Sequence, residues 1–214
     1  IDDNSSDNSL KKVKKFKNKI RIIKIKKSKK GLKFNTYYQL NTYLNGLLRA
    51  KGEIVCFLDS DDYFKKNKLS TINNFFLKNN LLEIVFDSPI LIDDKKNITH
   101  KKKNFGFRKR RWVSFPPQSC ISIKKDVIIK LKKILFKKKF PLTTLDFRIA
   151  SLADLRKINT LFLKNQLTYY FQHSNNESNK NFQKFNKNWF KRRLEAYKYY
   201  ALVNKKNFKT IDYY

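Results

Sequence analysis

The chain has 214 residues, with 50 Lys or Arg against 17 Asp or Glu, for a formal net charge of +33. That length suits one domain with a real core, and 41% hydrophobic and 15% aromatic residues exclude disorder throughout. No apolar stretch approaches the roughly eighteen residues of a membrane helix, since the most apolar region, LLEIVFDSPILI, is broken by Glu83, Asp87 and Pro89.

The basic charge is spread over almost every segment, which favours anionic partners in general without pointing to a localised nucleic-acid footprint. The two cysteines, Cys56 and Cys120, lie in apolar surroundings and have no metal-thiolate spacing; they read as small buried residues in a reducing compartment. The chain opens on Ile1 inside what reads as a strand end, so its start is expected upstream.

In chain order, IDDNSSDNS is made of turn and cap formers after Ile1, and RIIKIK (21–26) reads as a short strand. Tyr37, Leu40, Leu44, Leu47 and Leu48 recur at helical spacing, with Gly52 as a stop. EIVCFL (53–58) is a continuous apolar run that suits a strand covered on both faces, as in a parallel sheet. A helix with Leu69, Ile72 and Phe76 on one face follows, and LEIVF is the next strand candidate. Residues 90–112 read as a strand end and a long basic loop, SCISI as a strand, and KKDVIIKLKKILF and DFRIASLADL as helices. The tail is an amphipathic basic helix through Phe190, Leu194, Tyr197 and Ala201. Alternating strands and helices predict an open, mostly parallel α/β sheet flanked by helices, with a helical C-terminal tail.

Against this charge, GEIVCFLDSDDYF gathers three acids into four positions. Two carboxylates about 5 Å apart repel by roughly 3 kcal/mol at an effective dielectric near 20, so the cluster calls for a cation or for solvent. It follows a strand, where ligands of open α/β sheets sit, and residues two apart in extended backbone point the same way. Asp59 and Asp61 can therefore converge on one hard divalent cation, Mg²⁺ or Mn²⁺, which could in turn neutralise a diphosphate. The plainer reading is that these acids cap the following helix, and Asp62 could do only that.

IDDNSSDNS followed by NGLLRAKGEIVCFLDSDDYF resembles the family 2 glycosyltransferases, nucleotide-sugar-dependent enzymes of GT-A fold. The family's run is an acidic pair before Gly/Asn-Ser, then Asn-x-Gly-Leu, Ala-x-Gly-Glu and a Leu-Asp-x-Asp-Asp turn, in this order across residues 1 to about 65. The resemblance implies a Rossmann-like GT-A domain over 1–175, lacking its first strand and helix. Residues 1–92 would form the nucleotide-binding half, 112–175 the acceptor half and 176–214 the tail. By the same resemblance, Asp2 and Asp3 contact the base or ribose, although an Asx turn would also account for them. Asp61 is implied as the direct metal ligand, with Asp59 nearer the ribose or donor sugar and also within reach of the ion.

PLTTLDFRIA resembles the place where the family carries its catalytic acid residue. An inverting transferase needs a base to take the acceptor hydroxyl's proton, and Asp146 is implied in that role; the alternatives are a helix N-cap for Asp146 and Asp154 as the base. LTYYFQHSNNES resembles a late segment in which His follows Arg by two positions; here Phe171 stands at the Arg position, and His173 could ligate the metal or touch the diphosphate. His100, amid lysines, reads as solvated, and so does the loop Lys95–Arg111. Trp189, Phe190, Lys191, Arg192 and Arg193 would suit the cytoplasmic face of a membrane, but packing on the main domain is the outcome expected.

The implied reaction moves a sugar from a nucleotide-diphosphate sugar, UDP by resemblance, to a glycan or lipid-linked hydroxyl acceptor in glycan or polysaccharide synthesis. Two rivals remain. A haloacid-dehalogenase-type phosphatase would use Asp59 as nucleophile and Asp61 as acid/base, but it expects Thr or Val where Tyr63 stands. A basic nucleic-acid-binding protein would explain the charge, but no binding module is recognisable and the acidic turn would repel phosphates.

Overall fold

In a computed structural model, residues 1–25, 35–99, 105–107, 113–174, 176 and 182–205 are described. His100, most of the basic loop and residues 26–34 lie outside the described residues. The chain divides into two compact units, Ile1–Lys51 and Gly52–Tyr214.

In the first unit, α1 (Ser9–Lys14) is one short turn of helix and α2 (Asn35–Arg49) is the longer element. The expected strand over 21–26 reduces to a single parallel bridge between Lys24 and Asp2, in which the Asp2 N–H donates to the Ile23 carbonyl (2.8 Å) and the Ile25 N–H to the Asp2 carbonyl (2.9 Å). Leu40 and Leu47 of α2 are buried, as their helical spacing predicts. At Gly46 a Cβ would stand 2.2 Å from Cδ1 of Ile1, so the end of that side chain would have to move aside.

The second unit carries β1 (Ile54–Cys56), β2 (Tyr63–Phe64), α3 (Lys68–Lys78), β3 (Ile84–Asp93), β4 (Ile98–Thr99), β5 (Ile121–Lys124), α4 (Lys125–Leu135), α5 (Leu145–Leu155), β6 (Thr160–Gln172) and α6 (Lys187–Val203). A single 3₁₀ turn, Gln118–Cys120, leads into β5. The sheet order is β1-β5-β3-β6-β2, with β4 on β3. The α/β class holds, but the expectation of a mostly parallel sheet does not: among the described strand pairs β3 with β6 is parallel, whereas β1–β5, β3–β5, β3–β4 and β2–β6 are antiparallel. The apolar run at 53–58, expected to be covered on both faces, forms a half-buried strand at the end of the strand order with Leu58 exposed, and apolarity carries no information on strand direction.

β6 is the long element that the sequence reading missed. It runs beside β3 with register shifts around Ser88 and Pro89, where proline's missing N–H would break a regular ladder. Side chains take up the freed carbonyls: Gln166 Nε2 donates to the Pro89 carbonyl (3.0 Å) and the Ser88 hydroxyl to the Leu163 carbonyl (2.9 Å).

One apolar cluster joins Ile72 and Phe76 of α3 to Leu82, Val85, Leu163 and Leu167. Each such side chain contributes roughly 1.5–3 kcal/mol by leaving water. The buried face of α3 is Lys68, Ile72 and Phe76; Leu69, expected on that face, is 58% exposed. In α6 the buried residues are Ala196, Tyr199, Ala201 and Val203, while Phe190 and Leu194 of the expected stripe are exposed. In both helices the polar contacts described below set the rotation. Among the described residues, no helix is long and apolar enough to cross a membrane.

Candidate active site

After β1 the chain leaves the sheet. The Phe57 N–H still donates to the Ile121 carbonyl (3.1 Å), and the Asp62 N–H then closes a turn onto the Asp59 carbonyl (3.2 Å). The three acids of this turn meet different partners. Asp59 is anchored to the 3₁₀ turn: its N–H donates to Ser119 Oγ (2.9 Å) and its Oδ1 accepts from Gln118 Nε2 (2.9 Å). Asp61 reaches the end of β6, where its Oδ2 lies 3.2 Å from His173 Nε2.

Asp62 is buried, and its Oδ1 accepts the Phe171 N–H (2.9 Å), tying the turn to β6. It does not cap the next helix, since α3 begins at Lys68 with Asn67 in the cap position. Burial pushes the Asp62 carboxyl up to about 6; bonds from Ser119 and the Phe171 N–H oppose the rise, and the Asp61 charge adds to it.

Behind the turn, Lys68 and Asp87 form a fully buried ion pair at 2.7 Å. Lys68 Nζ also donates to the Ser119 carbonyl and to Thr168 Oγ1 (both 2.6 Å), Thr168 Oγ1 donates to Asp87 Oδ2 (2.7 Å), and the ammonium stands 4.1 Å from the Phe64 ring centre. α3, β3, β6 and the 3₁₀ turn are thereby fixed to one another beneath the acids. Nothing in the sequence distinguished this lysine from its many neighbours.

Asp146 lies in the first turn of α5, whose N-cap is Thr144, so Asp146 is not the cap; its Oδ1 accepts the Phe147 N–H (2.7 Å). Burial raises its carboxyl above the ordinary value, against Thr144, the Phe147 N–H and the charge of Arg192. The loop before it is held from two sides. Arg148, completely buried, donates to the carbonyls of Leu135 (2.8 Å), Lys137 (3.1 Å) and Phe140 and to Thr143 Oγ1 (2.9 Å). From α6, Glu195 Oε1 accepts the N–H groups of Leu142 (2.5 Å) and Thr143 (3.0 Å). Asp154, the alternative base, accepts the Tyr200 hydroxyl (2.9 Å) and so serves the α5–α6 contact.

Tyr170 of β6 is half-buried. Its hydroxyl is pushed upward first by burial and then by the charges of Asp146, Asp62, Asp59 and Asp61. Beside it, Tyr169 stacks on Tyr63 with ring centres 4.4 Å apart. The run LTYYFQ carries the signal for this strand, since its three consecutive aromatics have high strand propensity. Asp2 and Asp3 belong to the first unit; Asp2 Oδ1 accepts the N–H of Ser5, three residues on (3.2 Å).

A profile of Glycosyl transferase family 2 matches residues 1–134. The chain belongs to glycosyl transferase family 2. Solved structures of similar fold include TarS 1–349 of S. aureus in complex with UDP (TM-score 0.65, 16% identity), covering 99% of this chain and 57% of that one. TarS 1–349 without that description gives a TM-score of 0.62 at 14% identity with the same coverage. A further TarS structure gives 0.60 at 16% identity, with 99% of this chain and 34% of that chain covered. No curated protein matches. The chain spans 57% of the TarS 1–349 chains, and its architecture is the GT-A glycosyltransferase fold. Family membership explains the NGLLRAKGE approach to the turn, which the phosphatase reading left unaccounted for.

Asp61 and His173 fit a divalent ion in donor type, one hard oxygen and one imidazole nitrogen at 3.2 Å from each other. Among the described residues no group of three or more His, Cys, Asp or Glu gathers for a metal. An ion here would therefore take its remaining ligands from a diphosphate and water, as Mg²⁺ commonly does.

Proposed function

We propose that this domain transfers a sugar from a nucleotide-diphosphate sugar, a UDP-sugar, to a hydroxyl acceptor with inversion at the anomeric carbon, in glycan or polysaccharide synthesis. The observation that carries the reading is the acidic turn after β1, where Asp61 lies 3.2 Å from His173 at the end of β6 while Asp59 is held by Gln118 and Ser119. UDP is favoured because the similar TarS domain was solved with it. Asp59 is assigned to the ribose or donor sugar. Asp61 and His173 would hold Mn²⁺ or Mg²⁺. When bound, such an ion supplies positive charge that offsets the negative charge of the departing diphosphate.

Asp146 accepts the proton of the acceptor hydroxyl as that oxygen attacks the anomeric carbon; the bond to the nucleotide diphosphate breaks and its electron pair leaves with UDP. Burial strengthens Asp146 as a base by raising its affinity for a proton. The working division is 1–175 for the transferase domain and 176–214 for the tail, at the cytoplasmic face of a membrane. The exposed Phe185 and Phe190, with Lys184 over Phe185, support the last point.

The test is UDP release from a panel of UDP-sugars with Mn²⁺ or Mg²⁺. Asp146→Asn should lower kcat by about 10²- to 10⁴-fold while the donor KM stays within about twofold. The acid limb of kcat should lie above the ordinary carboxylate value of about 4, since the base must be unprotonated and its carboxyl is raised. Unchanged turnover in Asp146→Asn would remove Asp146 from the base role.

A further inference from the structure

We propose that the outer face of α6, with the turn leading into it, docks on the surface of a bilayer that contains anionic lipid. The inference rests on the membrane location given above and commits it to one patch and one lipid chemistry. Packing on the domain, the outcome expected for this helix, is not what Phe190 and Leu194 show: they are 52% and 38% exposed. Helical spacing places Lys187, Phe190, Lys191 and Leu194 on one face of α6, at i, i+3, i+4 and i+7, and all four are exposed. Ala196, Tyr199 and Val203, on the opposite face, are buried.

In the turn before α6, Phe185 is 65% exposed, and Lys184 Nζ lies 4.8 Å from its ring centre. Phe185 holds left-handed backbone (φ 69°), a costly conformation for a bulky residue, and its ring is still not spent on the core. Instead the rings of Phe185, Trp189 and Phe190 gather on one another, with centres 5.4 Å (185 and 189), 5.0 Å (189 and 190) and 6.5 Å (185 and 190) apart. An aromatic cluster already assembled at the surface loses little side-chain freedom on entering an interface. Charge selects the partner. Lys184, Lys187 and Lys191 surround the two exposed phenylalanines, and Glu195, the acid of residues 182–205, gives its Oε1 to the Leu142 and Thr143 N–H groups. Aromatic rings suit the headgroup level of a bilayer, and ammonium groups beside them suit the phosphates of anionic lipid. A second copy of this chain would bring the same positive charge to the patch, which disfavours it as the occupant.

The experiment is sedimentation of the whole chain with vesicles of phosphatidylcholine, alone or mixed with phosphatidylglycerol. The mixed vesicles should bind about tenfold or more tightly than the neutral ones, with an affinity that falls as salt rises. Phe185→Ser with Phe190→Ser keeps every charge and should weaken that binding by about tenfold or more. Lys184→Gln, Lys187→Gln and Lys191→Gln together should weaken it by a similar factor. Lys130→Gln, Lys132→Gln and Lys133→Gln, on the exposed side of α4, remove the same charge and should change it by no more than about threefold. Brominated acyl chains in the mixed vesicles should quench Trp189, read as the emission lost in Trp189→Phe. Circular dichroism establishes that each variant is folded; if the phenylalanine pair is not, the lysine set and the quenching carry the test. Mixed vesicles that bind wild type and the phenylalanine variant alike would overturn the patch and leave the membrane location to another surface. Mixed vesicles that do not bind wild type would overturn both. Equal weakening by the α4 set, an unquenched Trp189, or a wild-type dimer in ultracentrifugation that the phenylalanine variant dissolves would also overturn the proposal.

Discussion

Asp62 shows how one carboxyl in this turn is given over to structure. Because burial raises it to about 6, the protonated form is favoured in the fold; its stabilising effect is full below the unfolded value of about 4 and is lost as pH rises through about 6. Asp62→Asn keeps an acceptor for the Phe171 N–H without the charge. The variant should therefore gain on wild type by roughly 2–3 kcal/mol between pH 4 and pH 8, read from urea unfolding at each pH. A difference that stays flat with pH would contradict the assignment. The buried Lys68–Asp87 pair gives a second outcome at this scale. Lys68→Met leaves Asp87 buried without its cation and should cost about 3–5 kcal/mol, whereas Lys68→Met with Asp87→Leu should recover most of the loss. At single residues the sequence offered candidates where a motif marked the position, as with Asp59, Asp61, Asp146 and His173, whose roles are proposals. It was silent on Lys68, Arg148 and Glu195, because a buried cation or acid is recognised by its partners, and those lie 5 to 100 residues away.

Elements were read well where local periodicity decides them. α2, α4 and α5 lie where their apolar spacing puts them, and β1 follows the apolar run at 53–58. Rotation was read less well. Lys68 is drawn inward by Asp87, Thr168 and the Ser119 carbonyl, which turns Leu69 outward. In α6, Glu195 grips the loop before α5, which turns Ala196 and Tyr199 inward and leaves Phe190 exposed. Strand direction is set by pairing over long distances, so local apolarity could not give it. The grip of α6 has a measurable consequence. Glu195→Ala leaves two backbone N–H groups without their acceptor and should cost about 2 kcal/mol of stability at pH 8 in thermal or urea unfolding. It should also lower kcat more than it raises the donor KM, because the loop it frees leads directly to Asp146. A variant with wild-type stability and turnover would show that α6 does not position that loop.

For the whole molecule, the ordered motifs across residues 1 to about 65 were enough to indicate the family, which the profile match over residues 1–134 establishes. The second half was readable only in outline, since Phe171 departs from the family's Arg and β6 has no motif of its own. The charge of +33 acquires a use in this account, as a background that draws anionic donors and acceptors toward a site whose own acids would otherwise repel them. That site is claimed to hold a nucleotide diphosphate through a divalent ion at Asp61 and His173. The most direct test is calorimetric titration of UDP, GDP and dTDP into the protein, with and without Mn²⁺, for wild type, Asp61→Asn and Asp146→Asn. The account predicts Mn²⁺-dependent binding of UDP that Asp61→Asn weakens by about tenfold or more and Asp146→Asn leaves intact. Folded protein that binds none of the three nucleotides, or binds them equally well without Mn²⁺ and in Asp61→Asn, would contradict it.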